Sequence, residues 1–285
     1  VSTRDDAKTL YGYLGWLIDQ PEIGPIILRA AEEGWDEARL RGAISKTDWW
    51  RQTSDSSRRW DALVAQDQAT AEQRVDETAL SIALKSGQLG IPISQKRLGQ
   101  LATSANRFGW NDDEIRLAIV AESRYTPAAA GQGLLGKTMA DVRAVAASYL
   151  IPVNDQQAWQ WARRIAAGAA DISAVQAQFA GLAKARFPHL TEDIDAGLTP
   201  AQFFTPYRNA IAEILGTSPD QIDLMDRRWS PVISFKSPKE GLRPMTIPES
   251  ERLARMQPEW RSSDDAWERL TQTAGPILEM FGATG

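Results

Sequence analysis

The chain has 285 residues, enough for about two domains that bury a core without disulfides or metals. Thirty-two Lys and Arg against 37 Asp and Glu leave a net charge of −5, which argues against a general nucleic-acid binder. The absence of cysteine and the single histidine exclude disulfide scaffolds, thiol nucleophiles, Cys/His zinc sites and Ser-His-Asp catalysis. No apolar run approaches a membrane span, and Val1 to Asp6 lack the regions of a secretory signal. Arginine outnumbers lysine 24 to 8, and the 11 tryptophans outnumber the Tyr or the Phe. Both residue types are enriched at the centres of protein interfaces and also fill cores.

In chain order, nearly every segment reads as helix, so the predicted class is all-α, built of consecutive helix-turn-helix units. Paired capping residues predict helix starts at Thr70/Gln73, Asn111/Glu114, Thr138/Asp141, Thr199/Gln202, Ser218/Gln221, Thr246/Glu249 and Ser262/Asp265. Pro200, Pro206 and Pro219 sit where a first helical residue has no N–H to offer a partner. The one strand-like stretch, Pro231 to Phe235 followed by Ser237-Pro238-Lys239-Glu240-Gly241 and Leu242 to Met245, predicts at most one short irregular hairpin near 231–245.

The chain repeats itself. Gly34-Trp35-Asp36 returns 75 residues later as Gly109-Trp110-Asn111, each after an Ala-containing helical stretch and before an apolar position, Leu40 or Ile115. This predicts a helix ended by glycine, a Trp outside the next cap, and Asp36 or Asn111 as that cap, with the Trp stapled to the apolar residue. Ile91-Pro92-Ile93-Ser94 returns 60 residues later as Ile151-Pro152-Val153-Asn154, again with the last residue as cap. A third echo links Asp48-Trp49-Trp50-Arg51-Gln52-Thr53-Ser54 with Pro258-Glu259-Trp260-Arg261-Ser262-Ser263, each leading into a helix with a further Trp, Trp60 or Trp267. The small and glycine-rich stretch 127–137 predicts a linker between an N-terminal helical domain, 1–126, and a C-terminal one, 138–285. The last helix carries Ala266, Trp267, Leu270, Ala274, Ile277, Leu278 and Phe281 on one stripe, with Gly275 and Pro276 as a break or kink.

Glu122 is the one catalytic candidate. Glu122-Ser123-Arg124-Tyr125-Thr126-Pro127 followed by Gly133-Leu134-Leu135 resembles the start of a lytic transglycosylase domain, which implies a glutamate that protonates a glycosidic oxygen. The chain departs from that pattern at Gly136, where the family has Gln, and in lacking a downstream Ala-Tyr-Asn-type segment. His189 reads as a surface or helix-start residue, and the acid pairs Asp112/Asp113, Glu192/Asp193 and Asp264/Asp265 as first-turn charges that complement helix dipoles. The pairs Arg58/Arg59, Arg163/Arg164 and Arg227/Arg228 are candidate phosphate contacts. No metal site and no cofactor is expected.

With the Gly34-Trp35-Asp36 turn, the Trp49-Trp50 plug and the Ile151-Pro152-Val153-Asn154-Asp155 helix start, the chain resembles a family of helical virion proteins of tailed bacteriophages of actinobacteria, the similarity reaching Gln221-Ile222-Asp223-Leu224 and Trp260. The resemblance implies a non-enzymatic structural or minor tail-type protein, located in the virion after assembly in the bacterial cytoplasm. Its partners would be other virion proteins, with several copies per particle. Trp49, Trp50, Trp60, Trp229, Trp260 and Trp267 are the candidate interface residues, while Gly34, Trp35, Asp36, Gly109, Trp110 and Asn111 have a structural role in the turns. The alternatives are a peptidoglycan-cleaving virion enzyme using Glu122 and a DNA- or wall-binding protein delivered with the genome.

Overall fold

The structure is a computed structural model that describes residues 15–126, 132–237 and 241–280. It is all-α, with one two-stranded hairpin. Contacts divide the chain into two compact units, Val1–Lys137 and Thr138–Gly285.

In the first unit, α1 (Gly15–Ile18), α2 (Gly24–Glu33), α3 (Glu37–Ile44) and α4 (Asp48–Gln52) lead into the longer α5 (Asp55–Gln66), α6 (Gln68–Leu89), α7 (Gln95–Phe108) and α8 (Asp112–Ala121). Helices α5, α6 and α7 pack on one another, with α8 against α6 and α1 against α5. Leu101, Ala102 and Ala105 of α7, Ala71, Ile82 and Leu89 of α6 and Trp60 of α5 are buried there. The three- and four-residue spacing within α7 gives it the single apolar stripe that such packing needs.

The joints decide how these helices meet. Gly34 and Gly109 both adopt the left-handed conformation, at φ 63° and 65°. The following Trp35 and Trp110 N–H groups donate to the carbonyls of Ala30 and Ala105, each at 2.9 Å. Asp36 then accepts from the Arg39 N–H, and Asn111 from those of Asp113 and Glu114. The 75-residue echo is therefore one turn built twice. Trp35 is held by Arg39, whose guanidinium lies 4.1 Å from the ring centroid, and by its own Nε1, which donates to Glu33 at 2.8 Å. Gly197-Leu198-Thr199 and Gly216-Thr217-Ser218 use the same backbone bond, so the device is more general than the Gly-Trp pairing indicates.

The 60-residue echo is equally concrete. Ile91 donates to Ser86 and Ile151 to Ala146, both at 2.9 Å, and Ser94 and Asn154 are the caps of α7 and of α10 (Asp155–Ala166). The residues before them, Gly90 and Leu150, share a positive φ of 76° and 53°. Leu150 holds this conformation, unusual for a side-chain-bearing residue, while buried and with its carbonyl accepting from Arg186 at 2.7 Å. At Gly90 a Cβ would lie 2.3 Å from the Gln132 carbonyl oxygen, so the two glycines Gly90 and Gly133 let backbones touch at the start of α9 (Gly133–Ser148).

The second unit continues with α11 (Ile172–Arg186), α12 (Thr191–Asp195), α13 (Pro200–Phe203), α14 (Thr205–Leu215) and α15 (Ser230–Ile233), then β1 (Phe235–Ser237), β2 (Gly241–Arg243), α16 (Ile247–Arg255) and α17 (Asp264–Met280). Short 3-10 turns occupy Pro188–Leu190, Pro219–Gln221 and Pro258–Ser262. Helix α14 packs on α16 and α17 over a core of Trp229, Phe187, Phe204, Leu190, Ile211 and Leu224. Phe204 meets Phe187, Phe203 and Tyr207 edge to face at 5.0–6.2 Å. The strands pair antiparallel, Phe235 opposite Arg243 and Ser237 opposite Gly241.

The short hairpin expected near 231–245 is present, pairing Phe235–Ser237 with Gly241–Arg243, while Pro231 lies near the start of α15. Several other expectations are corrected. The linker expected over 127–137 is helical from Gly133 because of the glycine contact with Gly90, and 127–131 lie outside the described residues. Thr138 consequently lies inside α9. Asp67, which accepts from Thr70, is the cap of α6 in place of Thr70, and Ser263 is the cap of α17 in place of Ser262. Ser218 makes no side-chain cap bond. Helix α17 runs through Pro276 to Met280, and Phe281 lies outside the described residues.

The two copies of the glycine turn make a controlled comparison. A Cβ on Gly34 meets nothing within 4 Å, whereas one on Gly109 would lie 2.6 Å from Ser56 Oγ. Gly34→Ala is expected to cost about 1 kcal/mol from backbone strain alone, and Gly109→Ala more, in urea unfolding. Equal costs would show that Ser56 does not hold the second turn.

Arg243 of β2 grips Glu249 of α16 with both Nη atoms, at 2.8 and 2.9 Å, and the Thr246 N–H donates to the same carboxylate at 2.7 Å. These bonds, those of Arg243 foremost, lower the Glu249 pKa from 4.5 to about 2. A depressed folded-state pKa contributes stability that is complete above pH 4.5 and lost as pH falls through about 2. Glu249→Gln is expected to flatten the acid limb of the stability curve between those values, read as urea midpoints across pH.

Candidate interaction site

The most distinctive surface feature of the first unit is a hollow of about 420 Å³ walled by Trp16, Leu17, Ile23, Ile44, Trp49 and Trp50, with Asp55, Arg58 and Arg59 at its edge. Its assembly follows from short helices held by side chains. Thr47 is the cap of α4 and accepts from the Trp50 N–H at 3.2 Å, while the Glu22 carboxylate accepts from the Trp49 N–H at 3.0 Å across 27 residues. The Trp16 and Trp49 rings meet edge to face at 6.4 Å, and Trp49 and Trp50 lie 6.4 Å apart and tilted.

Arg58 and Arg59, adjacent in sequence, do different work. Arg58 donates to the carbonyls of Trp50 and Thr53 and pairs with Asp55, and its guanidinium lies 3.9 Å from the Trp50 ring centroid. It ties α4 to α5. Arg59 is exposed and makes no hydrogen bond or ion pair with any described residue. The Trp16 Nε1, on the same wall, is buried without a hydrogen-bond partner among the described residues. The hollow thus offers aromatic area, one unpaired cation at its rim and one unsatisfied donor in its wall.

The other tryptophans divide sharply. Trp60, 8% exposed, belongs to the α5–α7 core, and Trp229, 0% exposed, to the core of the second unit, so neither is available to a partner. Trp60 is drawn in by its place on the inner stripe of α5 and Trp229 by the turn that precedes α15. Trp260 is half-buried and donates to Asp265 at 2.8 Å. Trp267 is 65% exposed. The third echo holds locally: Ser54 and Ser263 are the caps of α5 and α17 after a short helical turn, yet the tryptophan that follows is buried in one case and solvent-facing in the other. Trp16 and the unpaired state of Arg59 were not legible in the sequence, because both depend on α1 meeting α5.

Glu122 sits in an ion pair with Arg97. It ends α8 and accepts from Arg97 at 2.7 Å, and that hydrogen bond, outweighing burial, lowers its pKa. A general acid needs the opposite shift. His189 is exposed in the Pro188–Leu190 turn, and desolvation lowers its pKa against the opposing charge of Asp193. The acid pairs occupy first helical turns. The arginine pairs are engaged singly: Arg58 pairs with Asp55, Arg164 lies 4.5 Å from the Trp161 ring centroid, and Arg228 pairs with Glu259. Among the described residues no cluster of three acidic or histidine side chains could hold a metal ion, and no helix is long and apolar enough to cross a membrane.

Comparison with family models, curated proteins and solved structures returns no match.

The surface and core tryptophans are separable by experiment. Trp50→Ala is expected to change stability by less than about 1 kcal/mol, since the ring is 40% exposed and Arg58 keeps its backbone acceptors. Trp229→Ala is expected to cost about 3–5 kcal/mol through the cavity it leaves. Urea unfolding of the two variants checks this, and a similar loss for both would place Trp50 in the core.

Proposed function

We propose that this chain is a non-enzymatic structural protein of a tailed-phage particle, in the tail, connector or interior, and that it acts through protein–protein contacts. The observation that carries the contact role is the Trp16/Trp49/Trp50 hollow with Arg59 at its rim. Tryptophan and arginine dominate binding energy at interface centres because each supplies a large, rigid contact area with a polar handle. A hollow of this size accepts one or two side chains from a partner. The phage assignment rests on the resemblance of the helix-turn and Trp-plug motifs to actinobacterial phage virion proteins. The peptidoglycan-cleaving alternative is weakened by the Arg97–Glu122 pair, which holds the candidate acid ionised.

Quantitative mass spectrometry of purified particles of a phage encoding the chain tests the assignment. A fixed copy ratio to the portal protein is expected. Its absence from particles overturns the structural reading.

A further inference from the structure

The C-terminal helix leaves an apolar face uncovered. In α17, Trp267 and Leu270 are 65% and 59% exposed, one helical turn apart, with Ala274 next along the same stripe. The sequence pattern predicts that this stripe docks on the body or on a partner. The structure docks the helix by another edge: Asp265, the hub of that edge, accepts from Trp260 at 2.8 Å, from Arg269 at 3.1 Å and from Arg255 at 3.5 Å. Burial of the Asp265 carboxylate raises its pKa, and the Trp260 hydrogen bond with the two guanidiniums more than reverses that, so it stays ionised and holds the edge in place. Asp264 and Glu268 flank Trp267 along one side of the outward face, one turn apart, and neither forms an ion pair with a described residue.

This face and the hollow of the first unit are complementary in kind. The helix offers a large aromatic and a leucine edged by two carboxylates that form no ion pair with a described residue, Glu268 accepting only from Gln272 at 3.5 Å. The hollow offers three indole walls edged by the mutually paired Asp55 and Arg58 and by Arg59, which makes no ion pair with a described residue. We infer that the two bind each other between copies, the Trp267/Leu270 face of one chain seating in the Trp16/Trp49/Trp50 hollow of a second, with Asp264 and Glu268 meeting Arg59. The occupant is a second copy of this chain. The inference rests on the reading of the hollow as an assembly surface and names its partner.

Charge and apolar contact give separate handles, and all the altered side chains are exposed, so the variants fold. Sedimentation velocity of the full chain over a concentration series is expected to show self-association. Trp267→Ala is expected to weaken it about thirty-fold or more, as for a central interface tryptophan. Arg59→Glu and the double variant Asp264→Lys/Glu268→Lys each set like charges against one another at every junction and are expected to be monomeric alone. An equimolar mixture of the two is expected to assemble, because every hollow then finds a helix of opposite charge. A monomer at all concentrations, association indifferent to Trp267→Ala and Arg59→Glu, or a mixture no better than its components would each overturn the inference. A monomeric chain present in particles at fixed copy number would leave the structural role standing, so the two failures are told apart.

Discussion

The backbone bond that closes the left-handed turn is the constraint on which the rest of this molecule depends. Every helix ends with carbonyls that have no intrahelical donor, and a fold of many short helices multiplies that problem. At Gly34, Gly109, Gly197 and Gly216 the chain meets it in one way: a residue at positive φ lets the next N–H reach back to a carbonyl five residues earlier. The chain then leaves in an extended conformation, which is what an N-cap requires. Ending one helix and starting another therefore become a single geometric event, and the exit angle of each helix is set by three residues.

Placement of the Trp-lined hollow follows from that control. The turn at Gly34 sets the start of α3, and the caps Thr47 and Ser54 then hold α4 as a five-residue plug between α3 and α5. A helix this short has almost no stability of its own. It persists because Glu22 accepts from its first turn and Arg58 donates to its last carbonyls. Arg58 is consumed by this task, with its guanidinium lying over Trp50. Its neighbour Arg59 lies at the rim with no ion pair to a described residue. Two adjacent arginines, equivalent in composition, are thereby split into a structural brace and a free charge.

Local chemistry was legible in the sequence and long-range packing was not. Gly34-Trp35-Asp36, Asn111/Glu114, Thr199/Gln202 and Thr246/Glu249 act where their spacing places them, because a cap is decided within four residues. Thr70 and Thr138 carried the same signature and lost to context. Asp67 takes the role one turn earlier in the first case, and the Gly90–Gly133 contact starts the helix five residues upstream in the second. The fate of each tryptophan lies further from local reach. Trp60 and Trp267 follow the same serine-capped turn, yet burial depends on whether another helix covers that face. Leu150 shows the same limit: no composition rule places a leucine at positive φ, and it holds there because Arg186 binds its carbonyl and its side chain is buried.

Self-docking through a hollow and a helix face has two closed forms. Two copies related by a twofold axis can exchange helices, making the contact twice and burying both faces at once. Successive copies related by any other rotation make it once per copy and close only if that rotation divides a full turn. The twofold form gains effective concentration from its second contact and saturates at two chains, whereas the ring must assemble against the entropy of each added copy. The balance between them turns on the Trp267 and Leu270 pair. If one such contact is strong enough alone, rings are populated. If it needs its twin, the dimer wins, and the concentration dependence of assembly becomes steeply two-state, with no intermediate between one chain and two.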